Sequence, residues 1–72
     1  MAGVTRGELF RDAKPSFFGH PVDWIVEDIF IASDGNEYAR LCLTTNRHER
    51  KTLSVMVLSD RRRFIRIPPS AS

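Results

Sequence analysis

The side chains in this sequence that could support catalysis or metal binding are one cysteine, two histidines and an adjacent pair of acids. Cys42 and His48 have the chemistry of a thiolate–imidazole pair, but the first belongs to a predicted strand and the second to the tip of the following loop. Zinc needs three or four ligands, and Cys42, His20 and His48 lack the spacing of a zinc motif. Glu27 and Asp28 point to opposite faces of a strand. We therefore predict a protein that is not an enzyme, with no catalytic residues, no metal site and no cofactor.

The strongest functional signal is a set of basic side chains late in the chain. Residues 47–66 contain seven bases and two acids, whereas residues 8–37 contain seven acids and two bases. Arginine suits phosphate because its planar fork donates two hydrogen bonds at once, and an aromatic ring can stack on an unpaired base. We predict that a basic face binds nucleic acid. Its residues are Arg47, Arg50, Lys51, Arg61, Arg62, Arg63 and Arg66, with Tyr38 as a stacking partner.

Two other interpretations of the sequence remain open. The acidic and basic halves can neutralise each other across strand pairs, leaving a solvated rim that protects the sheet edges. Alternatively, the chain binds another protein or forms a homodimer. The residues that would serve this function form an apolar sheet face and an aromatic segment: Ile25, Phe30, Met56, Leu58, Phe17 and Phe18. The two adjacent phenylalanines lie in an irregular stretch, where they either cover the core or form an exposed patch.

Size and composition favour one small domain. The chain has 72 residues, of which 42% are hydrophobic and 28% are charged, as is usual for a globular protein. It has no apolar run near the roughly 20 residues that a membrane span needs, and its first residues lack the apolar segment of a secretory signal. Cys42 is the only cysteine, which excludes an internal disulfide. We predict a cytoplasmic protein with no membrane contact and no evident small-molecule substrate.

The elements that must position these residues are organised around a predicted β-hairpin. Residues 24–32 and 37–45 are rich in β-branched and aromatic types, and the Asp-Gly turn between them favours positive φ. In the first strand, Trp24 and Val26 are out of phase with Ile29 and Ile31, which predicts a β-bulge near residues 27–28. In the second strand, alternation predicts Ala39, Leu41 and Leu43 inward and Tyr38, Arg40, Cys42 and Thr44 outward.

Shorter strands are predicted on both sides of the hairpin. Residues 7–11 read as a first strand, and residues 51–58 as a later strand with Leu53, Val55 and Val57 inward. The arginines at 61–63 then form about one turn of 3₁₀ helix, and residues 64–67 form a closing strand. This predicts one domain at 7–67, with flexible tails at 1–6 and 68–72.

The segments W-I-V-E-D-I, E-Y-A-R-L, K-T-L-S-V and L-S-D-R-R-R-F-I follow each other in a familiar layout. The chain resembles the Src-homology-3-like small β-barrels, a group that includes Tudor and KOW-type domains. The resemblance covers about residues 7–67 and implies an all-β, antiparallel five-stranded barrel with one 3₁₀ turn before the last strand. The peptide-groove, KOW and aromatic-cage motifs of these domains are missing, so no functional residue is carried over. The predicted organisation, one compact barrel in a short chain with no enzyme site, is also similar to that of small accessory proteins of bacterial genomes and mobile elements.

Overall fold

Five strands form one antiparallel sheet in a computed structural model that describes residues 3–14 and 21–68. The strands are β1 (Leu9–Asp12), β2 (Asp23–Ile31), β3 (Glu37–Leu43), β4 (Arg50–Ser54) and β5 (Phe64–Ile67). Their order in the sheet is β4-β3-β2-β1-β5, and the sheet is curled. The predicted all-β class with five antiparallel strands is confirmed. Phe17 and Phe18 lie outside the described residues, so their role stays a prediction.

The predicted bulge in β2 is present and bends the central hairpin. Val26 pairs with Leu41 and Asp28 with Arg40, so the register shifts by one residue at Glu27. This extra residue reverses the alternation of β2. Residues on both sides of the bulge therefore contribute to the same core.

A glycine sets the turn that closes the hairpin. Gly35 has a φ of +85°, which side chains disfavour and glycine adopts freely. The Asp34 carboxylate accepts a hydrogen bond of 2.9 Å from the Asn36 backbone N–H. The predicted bulge would put Ile31 on the same face as Val26, but Ile31 is 70% exposed because it forms the last pair before this turn, with Glu37.

The core lies on one side of the curled sheet. Phe10, Val26, Leu41 and Leu58 have exposed fractions of 2% or less. The other buried members are Val4, Trp24, Ala39 and Phe64, and several half-buried aliphatic side chains pack around them. Val4 belongs to the stretch predicted to be a tail. The core therefore draws on side chains from nearly the whole described part of the chain.

One helical turn replaces the second half of the predicted strand at 51–58. β4 ends at Ser54, whose hydroxyl accepts a hydrogen bond from the Val57 N–H, and the helix α1 (Val55–Leu58) follows. Serine is a favoured residue at the start of a helix because it satisfies a free backbone donor. A strand would place Met56 and Leu58 on one face, but in the helical turn Met56 is 81% exposed and Leu58 is 1% exposed. The prediction of a strand through Leu58, and of an apolar face that includes it, was therefore wrong.

The predicted 3₁₀ turn before the last strand is not confirmed. Residues 61–63 form a hydrogen-bonded turn in which the Asp60 carbonyl accepts from the N–H groups of Arg63 and Phe64, at 2.9 and 3.0 Å. The chain thus reverses immediately before β5.

The centre of β3 is covered on both of its faces. Leu41 and Cys42 point to opposite sides of the sheet, yet both are 0% exposed. Cys42 points away from the core cluster, as predicted, but its side chain is buried. In its row of the sheet, Cys42 lies between Ile25 and Arg50.

Candidate nucleic-acid interface

The residues predicted to bind nucleic acid fall into two groups in the sheet. One group lies in β3, the following loop and β4: Tyr38, Arg47, Arg50 and Lys51. The other lies in the turn before β5 and in β5: Arg61, Arg62, Arg63 and Arg66. β4 and β5 are at opposite ends of the strand order. The two groups can therefore come close only because the sheet is curled.

Two of the predicted arginines form ion pairs with acids from the first half of the chain. Arg50 Nε lies 2.9 Å from Glu27 Oε1, and Arg66 Nε lies 3.2 Å from Glu8 Oε2. The same pattern joins Arg11 to Asp23 at 2.8 Å. Exposed pairs of this kind stabilise a protein by about 0–1 kcal/mol each. Their main effect here is that part of the charge and of the hydrogen-bonding capacity of Arg50 and Arg66 is already used within the chain, which agrees with the alternative of charge neutralisation between strands.

Lys51 is directed at aromatic rings. Its Nζ lies 4.2 Å from the centroid of the Trp24 ring and 5.2 Å from that of Phe64. Both distances are in the range of a cation–π interaction. Lys51 therefore contacts side chains of β2 and β5 from its place in β4, and it is half-buried. The Lys51 ammonium group thus links the two ends of the sheet, and it is already in contact with aromatic rings of the chain itself.

Tyr38 belongs to a separate aromatic site near the hairpin turn. Its hydroxyl donates a 2.9 Å hydrogen bond to Asp34 Oδ2, and its ring stacks on Phe30 with centroids 6.0 Å apart. The hydrogen bond to the carboxylate raises the pKa of Tyr38. The Asn36 N–H and the Tyr38 hydroxyl together hold the pKa of Asp34 below its usual value. Arg40 lies over the Phe30 ring at 5.7 Å.

The arginines at 61–63 are all exposed. The Arg62 side chain is 92% exposed and that of Arg63 is 68% exposed. Both guanidinium groups approach the Asp60 carboxylate, at 3.4 and 4.0 Å. The backbone N–H of Arg62 and these two charges lower the pKa of Asp60. Arg61 is exposed and, among the residues that the structure describes, has no ion-pair partner.

Lys14 joins this turn and was not predicted from the sequence. A shallow cavity of about 330 Å³ is lined by Asp12, Lys14, Arg62, Arg63 and Phe64. The Ala13 N–H donates to the Arg63 carbonyl at 2.8 Å, which carries the end of β1 alongside the start of β5. We call Lys14, Arg61, Arg62 and Arg63 the basic turn. The signal that could have found Lys14 is the pairing of the first strand with the last one.

Comparison with known proteins adds no function to this geometry. No protein-family model, no curated protein and no solved structure matches the chain.

Two further observations concern residues 3–14 and 21–68. They contain no helix that is long and apolar enough to cross a membrane. They also contain no group of three or more histidine, cysteine, aspartate or glutamate side chains arranged to hold a metal ion.

Proposed function

We propose that this protein is a small non-enzymatic binding module that holds nucleic acid at its basic turn. The observation that supports the proposal is that Lys14, Arg62 and Arg63 line one shallow cavity, with Arg61 exposed next to them in the sequence. The four cations come from two chain segments, and the nearby acids are Asp12 and Asp60. An accessible concentration of positive charge attracts a polyanion.

The chemistry of the basic turn favours phosphate contacts over base recognition. Guanidinium forks match phosphate oxygens, but contacts to the backbone carry no sequence information. The nearest ring in the cavity, Phe64, is only 6% exposed and offers little surface for stacking. Tyr38 lies in the other group of residues. We therefore expect binding with little sequence preference, through about three phosphates, in which Arg50, Lys51 and Arg66 take a smaller part.

We also infer that the curled sheet has the layout of a Src-homology-3-like small barrel. The order β4-β3-β2-β1-β5, the bulged long β2 and the turn before β5 support this inference. It concerns the scaffold alone and assigns no ligand.

Neutralising the basic turn is the direct test. The variant R61Q/R62Q/R63Q is expected to bind a fluorescein-labelled oligonucleotide about tenfold more weakly than the wild type, a loss of about 1.4 kcal/mol. Fluorescence anisotropy with single-stranded DNA, single-stranded RNA and duplex DNA measures the affinity. For the wild type, three phosphate contacts give a slope of log affinity against log salt of about −2 to −3. The triple variant should have a shallower slope.

The matched control removes the same charge elsewhere. R6Q/R11Q/R40Q lowers the net charge equally but leaves the basic turn intact, and it should retain most of the affinity. A second control, R47Q/R50Q, tests the loop and β4 and should change the affinity less than threefold, or about 0.65 kcal/mol. Equal losses in the two triple variants would reduce the effect to net charge. An absence of wild-type binding at about 50 mM salt would refute the proposal.

Removing the acid within the basic turn should have the opposite effect. In D60N the amide oxygen can still accept the Arg62 N–H bond of 3.0 Å, but the charge facing Arg62 and Arg63 is lost. Charges about 4 Å apart near water interact by about 1 kcal/mol, so we expect two- to fivefold tighter binding in the same assay. Weaker binding would mean that the carboxylate mainly orders the turn.

A further inference from the structure

Within residues 3–14 and 21–68, the last strand has a free edge with unpaired backbone groups. β5 is at the end of the sheet and pairs only with β1 among the described strands. In an antiparallel pair, alternate residues direct both backbone groups at the neighbour. The Arg63 carbonyl accepts a hydrogen bond from Ala13, next to β1. The backbone N–H and C=O groups of Ile65 and Ile67, two and four residues later, are therefore also directed at β1. The N–H of Arg66 and the carbonyl groups of Phe64 and Arg66 therefore point away from the sheet.

An apolar groove runs beside this free edge. It has a volume of about 440 Å³ and is lined by Phe10, Leu58, Ser59, Arg61, Phe64, Ile65 and Arg66. The floor consists of core side chains, and Ile65, which is 51% exposed, borders the groove on β5. The groove thus combines apolar surface with the backbone groups that an added strand would need.

The charges around the groove favour an anionic occupant. Arg61 is exposed at its rim. Arg66 uses Nε for Glu8 and Nη2 for the Gly3 carbonyl at 3.4 Å, which leaves three of the five guanidinium N–H donors for another acceptor. The mouth of the groove keeps a positive charge even when Glu8 is counted.

We propose that the free edge of β5 and this groove bind an extended segment of another protein in which an apolar residue and an acidic residue lie two positions apart, so that both side chains face the groove. The segment adds a strand to β5. Its backbone bonds to Arg66 and Phe64, an apolar side chain enters the groove, and a carboxylate lies at Arg61 and Arg66. This site shares Arg61 with the basic turn but does not use Lys14, Arg62 or Arg63.

A second copy of the chain fits this edge poorly. The other edge strand of the described sheet, β4, carries Arg50 and Lys51. Pairing β4 of one copy with β5 of another would place these cations near Arg61 and Arg66. Pairing two β5 strands would also bring like charges together. Like charges opposite each other destabilise a strand pair. An acidic partner meets no such repulsion.

The test uses the full chain and a blocked peptide in which threonine alternates with valine and glutamate in turn, so that each valine has a glutamate two residues away on the same face. Amide chemical shifts in an NMR titration should change at residues 61–66 and saturate. At a peptide concentration of about ten times Kd, hydrogen exchange of the Arg66 amide should slow about tenfold, because exchange then occurs from the unbound fraction. R61E should bind about fivefold more weakly, whereas the control R47E should bind like the wild type.

Matched peptides separate the contributions to binding. Replacing glutamate by lysine tests charge, replacing valine by serine tests the groove, and N-methylation of alternate amides tests strand addition. All three should lose most of the affinity. The proposal is overturned if the N-methylated or lysine peptide binds equally well, or if an oligonucleotide rather than the peptide protects the Arg66 amide. It is also overturned if light scattering gives the mass of a dimer for the free chain and the Arg66 amide is protected at concentrations where the dimer forms. R62Q/R63Q should weaken oligonucleotide binding and spare peptide binding, so the two proposals can fail independently.

Discussion

Replacing Leu58 by alanine is expected to lower the free energy of unfolding by about 2–5 kcal/mol, whereas replacing Met56 by alanine should change it by less than about 0.5 kcal/mol. Leu58 is 1% exposed in the core and Met56 is 81% exposed on the same helical turn. If residues 51–58 were one strand, both side chains would share a face and the two substitutions would have similar effects. Urea unfolding followed by circular dichroism measures the difference.

A control is needed because a domain of this size has only a few kcal/mol of stability, and L58A can unfold it completely. Leu58→Met nearly conserves the volume and should cost less than about 1.5 kcal/mol, which keeps the transition measurable. A cost of about 2 kcal/mol or more for M56A would contradict the helical turn, because it would mean that Met56 is buried.

Replacing Phe10 by alanine is expected to cost about 3–5 kcal/mol and to leave most of the protein unfolded at 25 °C. Phe10 is 1% exposed and lies in β1 between Trp24 of β2 and Arg66 of β5. The Arg66 guanidinium lies 5.3 Å from its ring centroid, so the substitution also removes a cation–π contact. The dispersion of amide signals in an NMR spectrum reports whether the fold survives.

The control for F10A is a substitution of Ile65, which lines the same groove. I65A removes an exposed side chain from β5 and should change the melting temperature little, since Ile65 is 51% exposed. F10L keeps most of the apolar volume, so its melting temperature should lie between those of F10A and I65A. A dispersed spectrum for F10A, with a melting temperature near that of the wild type, would mean that β1 does not hold the two sides of the sheet together.

The central hairpin was predictable because its signals are local. The Asp-Gly turn specifies a reversal, and the phase conflict between Trp24 and Ile29 has a bulge as its simplest resolution. Val-Met-Val-Leu at 55–58 is different, because a short apolar run has no period that separates strand from helix. The hydrogen bond from the Val57 N–H to Ser54 and the burial of Leu58 determine the outcome, and the second of these depends on tertiary packing.

The candidate site was predictable only where its residues are adjacent in sequence. Arg61, Arg62 and Arg63 form an exposed basic cluster by themselves. The engagement of Arg50 by Glu27 depends on the register of β2, β3 and β4 around the bulge. The place of Lys14 depends on the pairing of β1 with β5. These are contacts between distant positions, and no local pattern encodes them.

The ion pairs between the two halves of the chain also bear on how the molecule reaches its fold. Glu8 meets Arg66 and Glu27 meets Arg50, so opposite charges that are far apart along the polypeptide become neighbours. Before any strand has formed, an acidic early segment and a basic late segment attract each other, and a denatured ensemble with such a bias is more compact than a random coil. Dissolved ions weaken that attraction. Collapse towards the native topology is therefore assisted in dilute buffer and loses this help in concentrated salt.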